Sequence, residues 1–184
     1  EFLGIEMITV DMKEDGPDMD AIEKLVSEDA AIKGIWCVPK YANPQGITYS
    51  DEVVERFAAL KPKASDFRIF WDNSYTVHHL TDTPDQLKNI LESCKQAGNP
   101  DMVYIFASTS KITYAGAGVA AMGASEANIA FLKKQLGIQT ICYDKINQLR
   151  HIRFFKNMDG IAAHMKKHAA IIKPKFDIVL DILD

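Results

Sequence analysis

Lys111 ends a hydroxyl-rich segment, Ser108-Thr109-Ser110-Lys111, that directly follows the apolar run 102–107. The run predicts a buried strand, and such a strand delivers the residues after it to the edge of a sheet. A neutral lysine amine can form a Schiff base with an aldehyde, and a partly desolvated site favours the neutral form. An isolated lysine after a strand is ordinarily a solvated surface residue, so a catalytic interpretation of Lys111 depends on its companions.

Two other polar segments follow apolar runs earlier in the chain. Asn43 lies in the turn sequence Asn-Pro-Gln-Gly after the run 32–38, and Asp72 and Tyr75 follow the run 67–71. Because ligands of an open parallel sheet bind beyond the carboxyl ends of its strands, these side chains are predicted to share one edge with the lysine segment. A carboxylate there can keep the ring nitrogen of a bound heterocycle protonated. An amide and a phenol can hydrogen-bond an oxygen on such a ring, and hydroxyls can bind a phosphate. Asn43 by itself would be an ordinary turn residue.

Short apolar runs alternate with helix-like segments along most of the chain. The predicted strands are 5–10, 32–38, 67–71 and 102–107, with a short candidate antiparallel strand at 119–122. The predicted helices are 18–28, 51–60 with Ser50 as its N-cap, a helix opened by Pro84 after Asp82 or Thr83, 125–136, 143–155, and a long one from about residue 159 onward. This alternation predicts an α/β fold, a three-layer α/β/α domain with a mostly parallel sheet.

Three single residues carry further structural predictions. Pro174 is predicted to kink or break the last helix, because proline removes a backbone donor and clashes with the preceding turn. Trp36 and Trp71 lie in apolar strand patterns and are predicted core residues.

Taken in order, the three polar segments resemble the active-site segments of aminotransferases of fold type I that depend on pyridoxal 5'-phosphate (PLP). The closest likeness is to a divergent bacterial subgroup related to the aspartate aminotransferases, and it is carried by Asp72-x-x-Tyr75 and by the Ser-x-Ser-Lys sequence ending at Lys111. The resemblance implies PLP as the cofactor, with Lys111 as the Schiff-base lysine that later moves a proton at the substrate Cα. It also implies Asp72 beneath the pyridine nitrogen, Asn43 and Tyr75 at the ring 3′-oxygen, and Ser108 on the phosphate.

One position departs from the family pattern. The family carries an arginine eight residues after the lysine that grips the phosphate, and Val119 stands there in this chain. The divergent subgroup resembles this sequence in that loop. Lys145, Arg150 and Arg153 are candidates to compensate for the missing charge, and Ser110 is implied as a second cofactor-binding hydroxyl, with a structural role as the alternative.

The likeness runs through nearly all 184 residues, yet a complete family member is far longer. The sequence has no initial methionine and ends in an amphipathic pattern without a cap, which favours part of a longer chain. We expect residues 1–155 to be the PLP-binding portion of a large domain and residues 156–184 to be a helix leading toward a small domain. The resemblance implies a homodimer in the full-length protein and a fragment that is inactive alone.

The function implied by the resemblance is transfer of an amino group between an amino acid and a 2-oxo acid. Two alternatives stay open: a PLP-binding regulatory domain of a transcription factor, and a PLP-dependent lyase or decarboxylase. The particular amino acid is also open, because the groups that bind the substrate carboxylate are expected outside this sequence.

Composition points away from several other classes of protein. A net charge of −4 gives no reason to expect nucleic acid or an anionic membrane as a partner. Three widely spaced cysteines without a CxxC pair disfavour disulfides and a zinc site and fit a reducing cytosol. The pairs His78/His79 and His164/His168 lack further ligands, so no metal is predicted. His78 and His79 are interpreted as structural or solvent-facing, and His164 and His168 as part of a solvated helix face. No long apolar stretch or signal peptide is present, and the cytoplasm is the expected location.

Overall fold

The computed structural model describes residues 3–183. Its strands are β1 (Met12–Lys13), β2 (Gly16–Pro17), β3 (Gly34–Cys37), β4 (Arg68–Asp72), β5 (Val103–Ser108) and β6 (Ala120–Gly123). Its helices are α1 (Met19–Glu28), α2 (Asp51–Ala58), α3 (Ile90–Gln96), α4 (Glu126–Gln139), α5 (Lys145–Phe155) and α6 (Met158–Leu183). The chain divides into two compact units: the first runs to Trp71 and resumes over Leu87–Tyr104, and the second comprises Asp72–Gln86 and the residues from Ile105 onward.

The strands β3, β4, β5 and β6 form one sheet in that order, and β1 pairs with β2 in a small separate sheet. β3 and β4 are parallel. Ile69 donates its N–H to the Met102 carbonyl and Asn73 donates to the Phe106 carbonyl, each at 2.8 Å, so β4 and β5 advance in the same direction. β6 is antiparallel to β5. The predicted α/β fold with a mostly parallel sheet is therefore confirmed.

In the first unit, α1 and α2 begin where side chains cap their free N–H groups. Asp18 accepts hydrogen bonds from the N–H groups of Asp20 and Ala21. Ser50 accepts one from Val53, as predicted. A cap of this kind contributes about 1 kcal/mol to helix stability. Both helices lie where the hydrophobic periodicity predicts them.

The core of the first unit is built on the inward face of β4. Trp71 is 1% exposed, and its ring meets Phe57 of α2 edge to face, with the centroids 5.6 Å apart. Tyr49 packs against the same indole, also edge to face. Burial of a side chain the size of Phe57 contributes roughly 1.5–3 kcal/mol. The strand that ends at Asp72 is therefore anchored one residue earlier by the largest buried side chain of the core.

Trp36 contradicts its prediction as a core residue. It is 60% exposed and stacks on Phe70, with the ring centroids 5.9 Å apart. Successive side chains of a strand point to opposite faces, and in β3 it is Cys37 that faces the core, at 2% exposure. An apolar residue type does not reveal which of the two faces it occupies.

The strand predicted at 5–10 is also wrong, because these residues form no regular element. Ile5 and Met7 are 58% and 70% exposed, and no strand among residues 3–183 pairs with this segment. An apolar run becomes a strand only where its backbone groups find partners.

The third helix starts later than predicted, at Ile90 rather than at Pro84. The Asn89 side chain accepts hydrogen bonds from the N–H groups of Leu91 and Glu92, and this cap fixes the first turn. Pro84 indicated that a helix begins in this part of the chain, but the Asn89 cap determines that it begins at Ile90.

In the second unit, the Ser125 and Asp144 side chains cap α4 and α5. α6 runs unbroken from Met158 to Leu183 with Pro174 inside it, so Pro174 does not break the helix, and a kink at this position stays a prediction. Proline within a helix costs about 3 kcal/mol, and the hydrogen-bonded turns on both sides carry the helix through this position. The division proposed after residue 155 stays a prediction.

Candidate active site

The lysine and the tyrosine singled out from the sequence are in direct contact. Lys111 follows β5, and its Nζ donates a 2.9 Å hydrogen bond to the Tyr75 hydroxyl. The same nitrogen lies 4.1 Å from the centroid of the Tyr75 ring. Tyr75 is half-buried, whereas Lys111 is exposed rather than partly desolvated as expected. The amine is thus held over a phenol by two interactions while staying accessible to a reactant.

A tight turn after β4 positions Tyr75. The Asp72 carboxylate accepts hydrogen bonds from the N–H of Ser74, at 3.1 Å, and from the Ser74 hydroxyl. Such a side-chain turn reverses the chain and fixes the next residues. Asp72 is half-buried and its described hydrogen bonds go to Ser74. It lies at the strand end, as predicted.

Ser108 and Ser110 form the second pair of predicted residues that the structure brings together. Their hydroxyl oxygens are 2.7 Å apart, and the N–H of Ser110 donates to the Ser108 hydroxyl at 3.1 Å. Gly118 lies against them: a Cβ there would come within 2.7 Å of the Ser110 hydroxyl oxygen and 3.0 Å of its nitrogen. Gly118 therefore packs directly against the turn that carries the two serine hydroxyls.

Asn43 belongs to the first compact unit, whereas the other predicted site residues belong to the second. It is exposed, in a turn closed by a hydrogen bond from the N–H of Ala42 to the carbonyl of Ile47 at 2.9 Å. The peptide bond between Asn43 and Pro44 is cis. Its place at the cofactor stays a prediction.

Sequence reasoning missed three residues that contact the lysine turn from α5 and α6, namely Asn147, His151 and His164. His164 bonds the Ile112 carbonyl at 2.8 Å. The interpretation of His164 and His168 as a solvated helix face is wrong, because both are half-buried. The available signal was the spacing of Asn147 and His151, four residues apart on one helix face, in line with buried Phe155.

Val119, which stands where the resemblance implies an arginine, is held through its backbone. Its N–H donates to the Thr109 hydroxyl at 2.8 Å, and its carbonyl accepts from the N–H of Thr109 at 3.0 Å. Of the basic residues proposed to compensate, Arg150 and Arg153 line a cavity of about 770 Å³ together with the turn that follows Lys111. Lys145 is exposed at the start of α5. A role for any of the three on a phosphate stays a prediction.

His168 lines this cavity and is half-buried. Burial lowers its pKa first, and the neighbouring imidazoles of His164 and His78 lower it further. The rings of His164 and His168 have centroids 4.6 Å apart. The charged form of His168 is therefore disfavoured in the folded chain.

Residues 3–183 contain neither a cluster of metal-ligating side chains nor a membrane-spanning helix. No group of three or more His, Cys, Asp or Glu side chains in this range is arranged to hold a metal ion. None of the helices in the same range has the length and apolar character needed to cross a membrane.

Comparison with known proteins gives a consistent result over the full sequence. The family model described as aspartate amino-transferase matches residues 1–184. A protein from Mycolicibacterium smegmatis, provisionally named an aminotransferase, is 51% identical over 100% of this chain and 43% of its own length. The crystal structure of an aspartate transaminase from Corynebacterium glutamicum is 47% identical and has a TM-score of 0.95, over 100% of this chain and 43% of that one.

A more distant structure shares the fold. The α-aminoadipate aminotransferase LysN from Thermus thermophilus, complexed with N-(5'-phosphopyridoxyl)-L-leucine, is 21% identical with a TM-score of 0.77, over 97% of this chain and 44% of that chain. The α/β fold and the match over all 184 residues place the chain among the aminotransferases. The chain belongs to the aspartate amino-transferase family. It spans less than half the length of the relatives that it matches.

Proposed function

We propose that the protein containing this chain is a PLP-dependent aminotransferase that moves an amino group between an amino acid and a 2-oxo acid. The observation that carries the proposal is the contact between the Lys111 amine and the Tyr75 hydroxyl, at 2.9 Å on an accessible surface. Membership of the aspartate amino-transferase family supports it.

The polar groups around Lys111 fit the cofactor. Ser108 and Ser110 offer two hydroxyls and a backbone N–H from one turn, a donor set that suits a phosphate. In the turn after β4, three buried polar atoms have no hydrogen-bond partner among residues 3–183: Asn73 Oδ1, Thr76 Oγ1 and His78 Nδ1. A buried polar atom without a partner costs about 1–3 kcal/mol, so this turn favours a polar ligand.

Each predicted residue then has a distinct task. When bound, PLP supplies an aldehyde and an electron-accepting ring. Lys111 would supply the amine that holds the aldehyde carbon, with the aldehyde oxygen leaving as water, and would afterwards carry the proton at the substrate Cα. Asp72 keeps a proton on the pyridine nitrogen, and Tyr75 orients the amine and, with Asn43, binds the ring 3′-oxygen. Ser108 and Ser110 bind the phosphate.

The finer points of the proposal concern substrate, assembly and location. An aspartate transaminase among the close relatives favours aspartate and a 2-oxo dicarboxylic acid as substrates. We further propose a homodimer, because the resemblance implies an active site at a subunit interface. We propose the cytoplasm as its location, because three widely spaced cysteines without a CxxC pair fit a reducing compartment.

The proposal is tested on the full-length protein supplied with PLP. We expect transfer of the amino group from L-aspartate to 2-oxoglutarate, and loss of at least about a thousandfold of that activity in Lys111→Ala, since the amine has no substitute in the site. Lys133→Ala, which changes an exposed lysine of α4, serves as the matched control and should retain full activity.

Other outcomes would replace the proposal. Turnover of the amino acid without a 2-oxo acid would make the protein a lyase or decarboxylase. PLP binding with no turnover, together with DNA binding by the full-length protein, would make it a regulator. Absence of PLP binding by the wild type would end the assignment.

A further inference from the structure

The turn that carries Lys111 is anchored by side chains from two helices that sequence reasoning did not connect with the site. We name Asn147, His151 and His164 the α5–α6 brace. Lys111 itself is exposed, and its described side-chain contacts are with Tyr75. The position of its amine therefore depends on how firmly the backbone on both sides of it is held.

His151 contacts both flanks of the lysine. Its Nε2 lies 3.0 Å from the hydroxyl oxygens of Thr109 and Thr113, two residues before and two residues after Lys111. Its Nδ1 lies 2.9 Å from the Asn147 carbonyl. A carbonyl only accepts, so Nδ1 carries the hydrogen of this bond and Nε2 faces the two hydroxyls as an acceptor. The Thr109 hydroxyl can donate to Nε2, whereas the Thr113 hydroxyl donates to the Thr109 carbonyl at 3.1 Å and packs beside the ring.

The bonds continue from Thr109 into the second half of the loop. The Thr109 hydroxyl also accepts the N–H of Val119 at 2.8 Å. Asn147, which is 9% exposed, donates its side-chain amide to the carbonyls of Ala117 and Gly118 at 2.6 and 3.3 Å. One face of α5 thus holds the chain before Lys111 and the chain that returns into β6.

The third member of the brace comes from α6. His164 Nε2 bonds the carbonyl of Ile112, the residue after Lys111, at 2.8 Å. Its ring also packs edge to face against Phe154 and Phe155 of α5, with centroids 5.2 and 5.5 Å apart. These contacts fix the backbone of the turn, and the described side-chain contacts of Lys111 are with Tyr75.

We propose that His151 is a positioning residue for Lys111, acting through Thr109 and Thr113 to place the amine at the Tyr75 hydroxyl. This inference rests on the proposed function of the site. Its physical basis is that a reacting group displaced by about 1 Å can lose about a hundredfold in rate. His151 does not touch the amine, so its effect must appear in the reactivity of Lys111 rather than in a direct contact.

The test uses three variants of the full-length protein. His151→Phe keeps a ring of similar size but removes both hydrogen-bonding nitrogens. His151→Gln restores a polar group near the place of Nε2. His168→Phe is the matched control, because this histidine lies on the same cavity and its described ring contact is with His164 rather than with the lysine turn.

The first readout needs no bound cofactor. Pyridoxal without its phosphate is added to the cofactor-free protein, the adducts are trapped with borohydride, and the labelled peptides are counted by mass spectrometry. We expect labelling of Lys111 to slow at least about tenfold in His151→Phe, in line with a misplaced reacting group. Labelling of Lys133 should be unchanged, and His151→Gln should recover most of the Lys111 rate.

The second readout separates positioning from binding. With PLP bound, kcat should fall at least about tenfold in His151→Phe while KM for the amino acid changes by less than about twofold, because the lost interaction concerns the reacting amine. His168→Phe should match the wild type. If His151→Phe does not fold, Thr113→Val removes the hydroxyl that lies between His151 Nε2 and the Thr109 carbonyl without changing the size of the side chain, and labelling of Lys111 should slow in this variant as well.

Two results would overturn the inference, and they are distinguishable. If the wild type is active and labels Lys111 rapidly, but folded His151→Phe matches it in both readouts, His151 has no positioning role. If the wild-type Lys111 labels no faster than Lys133 and no transfer occurs, the proposed function fails and this inference fails with it.

Discussion

The described side-chain contacts of the Lys111 amine are with the phenol of Tyr75, and they fix the position of the reacting nitrogen atom. Tyr75 offers both a hydroxyl at 2.9 Å and a ring face at 4.1 Å. The hydroxyl can form a hydrogen bond with the lysine nitrogen in either protonation state of the amine. The ring face, by contrast, attracts the positive charge of the protonated amine. Removing the hydroxyl alone separates the two contributions.

Tyr75→Phe should therefore weaken the binding of PLP to the full-length protein by about three- to tenfold. This is the effect of one hydrogen bond worth about 0.5–1.5 kcal/mol, and the ring face is kept. The dissociation constant is measured by titrating the cofactor's absorbance. Tyr114→Phe, at a tyrosine that is 80% exposed in the same loop, is the control. Equal affinity in Tyr75→Phe and the wild type would contradict this role.

At the scale of elements, the loop between β5 and β6 decides where the hydroxyls stand. Gly118 fits against Ser110 so closely that a methyl group would come within 3.0 Å of its backbone nitrogen. Ser110 and Gly118 lie in the loop that joins β5 to β6, and a backbone atom cannot move aside as cheaply as the end of a flexible side chain. The loop therefore needs glycine at this position for space rather than for an unusual backbone angle.

Gly118→Ala should destabilise the full-length protein by about 1–3 kcal/mol, the usual effect of forcing extra volume into a packed site. Gly137→Ala is the opposite control: it has open space around the added methyl, lies inside α4, and should stabilise by up to about 1 kcal/mol. Urea unfolding of both variants gives the comparison. A Gly118→Ala variant as stable as the wild type would show that the loop can shift freely.

The elements predictable from sequence are those whose local chemistry decides their limits. Helix α2 could be predicted because its N-cap, Ser50, and its apolar residues at helical spacing lie within one short segment of the chain. Trp36 and the residues at 5–10 were mispredicted, because the face and the partner of a strand depend on chain elsewhere. The same reason applies to the site. Lys111, Asp72 and Tyr75 could be predicted because they follow strands in order along the chain. His151 could not, because it reaches the lysine turn only through the packing of α5.

At the scale of the whole molecule, stability depends on the charge state of the cavity beside α6. His168 has its pKa lowered below the usual 6.5 by burial and then by His164 and His78. Arg150 and Arg153 of α5 line the same cavity. The unfolded chain binds a proton here more readily than the folded chain, so the unfolding free energy falls as the pH decreases from about 6.5 through the folded pKa.

His168→Gln should remove this part of the pH dependence. Between about pH 7.5 and about pH 5.5, the wild-type protein is expected to lose more stability than His168→Gln, because glutamine takes up no proton in this range. Urea midpoints at the two pH values supply the measurement. Lys167→Gln, at an exposed neighbour on α6, should behave like the wild type, and an equal pH response in His168→Gln would remove His168 as the cause.

We propose that Lys111, and no other lysine, binds the cofactor. Borohydride reduction of the full-length protein with PLP, followed by digestion and mass spectrometry of the phosphopyridoxyl peptides, tests this assignment directly. One modified lysine per chain is expected, in the peptide that contains Ser108–Lys111. A label on another lysine, or none after reduction of a PLP-saturated protein, would contradict it.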